Sequence, residues 1–143
     1  MKYVLTDYAS IDKVCVIYHE FPLPIHKYSR EAARYSLAAQ KLGRQQWLAV
    51  MNSLYTNQEA WAKDGSVQAY VASALSPADF QKALKLKDDP SINQTIERDV
   101  ALGQRLQVQS TPTFFVSAVN KEQKVVGGLA YPVLRQFFDR IVK

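Results

Sequence analysis

Apolar positions along this chain change their spacing twice, and those changes divide it. Val14-Cys15-Val16-Ile17-Tyr18 is a short, continuous, largely β-branched run between Asp12-Lys13 and His19-Glu20. Such a run predicts a strand covered on both faces, as in parallel sheets. Phe21-Pro22-Leu23-Pro24 ends it, because neither proline has a backbone N–H to give. Helical spacing follows. Ser29 reads as the cap of a helix from Arg30 to Leu42, with Ala32, Ala33, Leu37, Ala38 and Ala39 as a small-residue face and Gly43 as its stop. Gln45 to Tyr55 carries Trp47, Leu48, Met51, Leu54 and Tyr55 at three- and four-residue steps, and Ser66 to Leu75 repeats the pattern with Val67, Tyr70, Val71 and Ala74. At Ser76-Pro77-Ala78-Asp79 the serine suits a cap, the proline a first turn, and the aspartate the positive end of a helix dipole. Pro90-Ser91 opens a longer helix with Ile92, Ile96, Val100, Leu102 and Leu106 facing inward.

The period then shortens to two. Thr113 to Val119 predicts a strand, Asn120-Lys121-Glu122-Gln123 a turn, and Lys124-Val125-Val126 a second, antiparallel strand. Gly127-Gly128 breaks the pair, and Pro132 begins a last helix with Val133, Leu134, Phe137, Phe138, Ile141 and Val142 on its apolar face. A parallel strand needs a long crossover to its neighbour, which the helical block supplies. The fold class is α/β: one domain over residues 1–143 with a small mixed sheet.

Composition narrows the function. At 143 residues with 48% apolar and 22% charged residues, the chain is long enough for one buried core and too apolar to be disordered. No apolar run approaches the roughly 18–20 residues of a membrane span, and Met1 to Ser10 is too polar for a secretory signal. No membrane partner is expected. The +5 net charge comes from 18 basic and 13 acidic residues that are scattered, so no nucleic-acid partner is expected either. One cysteine allows no intrachain disulfide and no Cys-x-x-Cys pair. With His19, His26 and Cys15 as the only soft ligands, no metal site is expected, and no glycine loop or Gly-x-Ser-x-Gly motif points to a cofactor or a serine nucleophile.

The remaining candidates have plain readings. Cys15 between Val14 and Val16 is read as a buried small hydrophobe rather than a reactive thiol. His26 and His19 stand in no catalytic constellation and are given local hydrogen-bonding roles. Asn93-Gln94-Thr95 matches a glycosylation sequon, but its helical setting argues for chance. Trp47, Tyr55, Trp61 and Tyr70 either line a peptide groove or pack the helical block, and packing is the simpler account.

Four features occur together: a strand ending in Phe21-Pro22-Leu23-Pro24 before His26 and Ser29-Arg30-Glu31-Ala32-Ala33; a long helical stretch, about residues 29–107; Ser110-Thr111-Pro112-Thr113-Phe114-Phe115-Val116; and a hairpin, paired glycines and a terminal helix. In this order they resemble the DsbA-like thiol:disulfide oxidoreductases, in which a helical domain is inserted in a thioredoxin fold. The resemblance implies a cis bond at Thr111–Pro112, and a loop at Thr111 and Pro112 that pairs its backbone with protein or peptide substrates. It also implies a first strand and a Cys-x-x-Cys ahead of the segment matching Val14–Tyr18. If Lys2 to Ala9 is the tail of the first helix, with residues 4, 5 and 8 on one face, both lie outside this sequence. If Tyr3 to Tyr8 is itself the first strand, the helix is lost and Ser10 stands near the missing nucleophile. Without a first strand, Val14–Tyr18 and Thr113–Val119 would each keep an open edge, to be filled by the N-terminal segment, a second copy of the chain or a swapped element. No catalytic residue is assigned: the chain is expected to be inactive as a two-cysteine oxidoreductase, or else a non-catalytic peptide-binding module. Relatives of this kind usually work outside the cytoplasm, and the compartment of this chain is left open.

Overall fold

The structure is a computed structural model that describes residues 15–118, 121–128 and 131–142. The described chain falls into two compact units. Residues 19–103 form one, and the described residues among 1–18 and 104–143 form the other.

The first unit is helical: α1 Ser29–Leu42, α2 Arg44–Thr56, α3 Gln58–Asp64, α4 Val67–Ala74, α5 Pro77–Leu86 and most of α6 Pro90–Arg105, whose last two residues belong to the other unit. The small face of α1 explains its central place. Ala33, Ala38 and Ala39 are buried and let neighbouring backbones come close. Tyr35, Val50, Leu54, Trp61, Val67 and Val71 build one core, while Ala33, Ala38, Ala83, Ile92 and Ile96 build a second. Leu75 packs against both. Gly43 alone joins α1 to α2 with a φ of +146°, a conformation that favours a residue without a Cβ. Its N–H donates to Ala39 O and its carbonyl accepts from Trp47 N. At the start of α5, Ser76 Oγ accepts from Asp79 N–H at 3.1 Å, with Pro77 in the first turn.

Two local expectations differ. Ser29 does not cap α1; its hydroxyl donates backward to Leu23 O and His26 O, at 3.2 and 2.7 Å, and so closes the proline turn instead. Helix α3, seven residues long, has no counterpart in the sequence reading, because Trp61 is its single buried side chain and one apolar residue defines no period.

In the second unit, β1 Thr113–Ala118 pairs with β2 Lys121–Val126 in an antiparallel hairpin, with Thr113 opposite Val126 and Ala118 opposite Lys121. The segment read as a turn, Lys121 to Gln123, is strand. Its side chains are polar, but ladder hydrogen bonds are made by the backbone and do not require apolar partners. Helix α7 Tyr131–Val142 follows. The expected strand Val14–Tyr18 is not seen in its described part: residues 15–18 are irregular, Cys15 is exposed rather than buried, and Ile17 is 72% exposed. Apolar run and burial therefore part company at Cys15 and Ile17, while Val16 and Tyr18 are half-buried. The sheet of the described residues is the two-stranded β1–β2 ribbon, not the larger mixed sheet. Lys2–Ala9, Tyr3–Tyr8 and Ser10, like Val14, Val119 and Asn120, lie outside the described residues. No described helix is long and apolar enough to cross a membrane.

Candidate functional site

The loop before β1 is held from three sides. Lys124 on β2 donates through Nζ to Leu106 O at 2.8 Å and Gln107 O at 2.7 Å, while standing 5.6 Å from the ring centroid of its cross-strand partner Phe115. Gln107 takes a φ of +54°, which turns the chain as it leaves α6. Thr113 Oγ1 donates to Ser110 O at 2.7 Å, and Gly127 N–H donates to Pro112 O at 2.9 Å. Within this frame the Thr111–Pro112 peptide bond is cis, and both residues are exposed. No described residue hydrogen-bonds the backbone N–H or C=O of Thr111. The loop thus fixes its neighbours and leaves one peptide unit open, an arrangement suited to pairing with an extended chain.

A family model described as thioredoxin matches residues 1–126. The chain belongs to the thioredoxin family. No curated protein and no solved structure matches it at the significance required. The matched span includes the Thr111–Pro112 loop and the hairpin, and the described chain is mostly helical with a small antiparallel sheet.

The other candidates of this thioredoxin-family chain sort by burial. Trp47 and Trp61 are core: the Trp61 indole N–H reaches Leu54 O at 2.7 Å, and Trp47 Nε1 reaches Ser36 Oγ at 3.2 Å. Tyr70 is half-buried against that core, whereas Tyr55 is exposed. The Asn93 side-chain oxygen in α6 accepts from Arg34 Nε at 3.0 Å. His26 is exposed, and its carbonyl rather than its ring serves the turn. Among the described residues no three His, Cys, Asp or Glu side chains are placed to hold a metal ion.

A second polar cluster, in the helical unit, escaped the sequence reading. Asp99 and Glu20 are both only 6% exposed. Asp99 takes Glu20 N–H on Oδ2 and stands against His19 Nδ1 through Oδ1, each at 3.0 Å. Burial pushes the Glu20 carboxyl up to about 7, a Ser36 hydrogen bond opposes that, and Asp99 adds to it. The one signal in the sequence was Asp99 itself, an acid three residues after Ile96 on the inward stripe of a helix.

Proposed function

We propose that this chain is a DsbA-like member of the thioredoxin family that receives extended protein or peptide segments at Thr111 and Pro112. The observation that carries the reading is the open peptide unit of Thr111 inside an otherwise tied loop. Backbone pairing of this kind is indifferent to substrate sequence, because every non-proline residue offers the same donor and acceptor. With one cysteine in the sequence, the chain has no partner thiol for a two-cysteine cycle, in which a thiolate attacks a substrate disulfide and a second thiol resolves the mixed disulfide. Of that cycle, Thr111 and Pro112 would carry the binding of the substrate chain.

A second reading concerns the sheet. Among the described residues β1 pairs with β2 alone. Its other edge is open to a strand from the N-terminal segment, a second copy of the chain or a swapped element.

Three assays test these readings. Incubated with insulin and dithiothreitol, the chain gives no acceleration of disulfide reduction, and a fluorescently labelled unfolded peptide shows saturable binding by anisotropy. Measurable turnover would show a one-cysteine chemistry that the reading denies. An absence of saturable binding would remove the peptide site. Light scattering over a range of concentrations reports whether a second copy takes the β1 edge.

A further inference from the structure

The chain passes between its two units at Tyr18–His19 and again at Gly103–Gln104. On the helical side of those crossings its two ends are fastened together. Asp99 and Gly103 lie one turn apart on α6. Asp99 holds the Glu20 N–H and the His19 ring, each at 3.0 Å. Phe21 packs close against Gly103: a Cβ at that position would stand 2.4 Å from its ring Cε2. Between these contacts the Glu20 side chain turns into the core, and its Oε1 has no hydrogen-bond partner among the described residues. The nearby polar groups are few. Ser36 Oγ accepts the Trp47 indole N–H at 3.2 Å and has a single proton of its own, for which Met51 Sδ at 3.1 Å and the Glu20 carboxyl compete.

We propose that Glu20 is a proton-operated latch: with its carboxyl neutral the His19–Phe21 segment stays clasped to α6, and loss of the proton beside Asp99 releases it. Among the described groups around Glu20, the ionised form has only the Ser36 hydroxyl to support it, and Met51 Sδ competes for that proton. Its own segment contributes His19, whose ring is engaged by Asp99; α1 contributes the neutral Ser36; α2 contributes the neutral Trp47 and Met51 behind Ser36; and α6 contributes Asp99, a like charge. A second buried carboxylate needs donors that this set does not hold. Burial and Asp99 move the carboxyl to about 7, so the latch works near neutral pH. None of this draws on the peptide-binding reading.

The Glu20 amide, which donates to Asp99, reports the clasp directly. Its hydrogen exchange, corrected for the intrinsic pH effect, is measured by NMR on the full chain. Opening is expected to rise by roughly tenfold per pH unit between about pH 5 and 7 and then to level off. At every pH it should be at least about tenfold more frequent than the opening that exposes Ile96. Glu20→Gln keeps the shape without the charge, and its amide should hold its protection throughout. An unchanged slope in Glu20→Gln would assign the effect to His19 and overturn the proposal. Equal opening at Glu20 and Ile96 would leave only global unfolding and overturn it as well. A measurement without any variant decides independently: the Glu20 side-chain carboxyl carbon titrates near neutral pH if the latch exists, and in the ordinary carboxylate range if it does not.

Discussion

Phe21 and Gly103 show how much a single atom decides in this molecule. The ring fills the space a Cβ would need, with two further ring atoms inside 3.4 Å of that position. Gly103→Ala is therefore expected to destabilise the chain by about 1–3 kcal/mol, the usual cost of overpacking, as measured by urea denaturation. In a Phe21→Ala background the same change should cost far less, because the obstacle is gone; equal costs in the two backgrounds would separate the residues. Glu20 acts on stability through pH. Its carboxyl is raised from 4.5 to about 7 in the folded chain, so the fold binds this proton more tightly than the unfolded chain does. The stability it permits is complete below pH 4.5 and lost as pH rises through 7, a difference on the order of 3 kcal/mol. Asp79 is shifted the other way, by its hydrogen bond from Gln46 and then by Lys82, and Asp64 and Asp89 by Ser66 and Ser91. These three lose stability as pH falls below the ordinary aspartate value. The melting temperature should thus peak on the acid side of neutrality, and Glu20→Gln should remove the decline on the neutral side only.

Among the elements, α5 was legible from four residues. Ser76, Pro77 and Asp79 each act through local geometry, so their roles are written in sequence order. Ser76→Ala should cost about 1 kcal/mol in the same denaturation experiment, the usual worth of a side-chain cap. Ser29 looked like the same signal and was not. Its hydroxyl found carbonyls at Leu23 and His26, presented by a turn that the two prolines create, and no local pattern announces that competition. The α3 helix was invisible for a related reason: it is placed by Trp61, whose indole N–H is satisfied by a carbonyl on another helix, Leu54 O. The boundaries of β2 failed on polarity. Glu122 and Gln123 stand opposite Ser117 and Val116 in the ladder, and side-chain character says little about backbone pairing.

For the molecule as a whole, order along the chain carried more information than any single motif. A helical block, a Thr-Pro-Thr-Phe-Phe segment and a hairpin, in that succession, lead to the thioredoxin family that the match over residues 1–126 shows. The cis bond at Thr111–Pro112 was implied by the family resemblance and not by local pattern, and the loop is tied from further along the chain by Lys124 and Gly127. The Glu20–Asp99 cluster was not legible, because residues 79 positions apart meet there and only packing brings them together. Cys15 and Ile17 mark the opposite failure: an apolar run predicts a covered strand, and coverage depends on partners the run itself does not encode. The proposed role of Thr111, offering its backbone to an extended chain, is open to a direct test. The direct measurement is a titration of the ¹⁵N-labelled protein with an unfolded peptide and with the same peptide N-methylated along its backbone. N-methylation removes the peptide's donors and leaves its carbonyls, so the bond into the Thr111 C=O is lost, worth roughly 0.5–1.5 kcal/mol; the methylated peptide should bind several-fold more weakly, and the Thr111 amide should shift more with the unmodified peptide. Equal affinities, with the Thr111 amide unmoved by either peptide, would contradict the account.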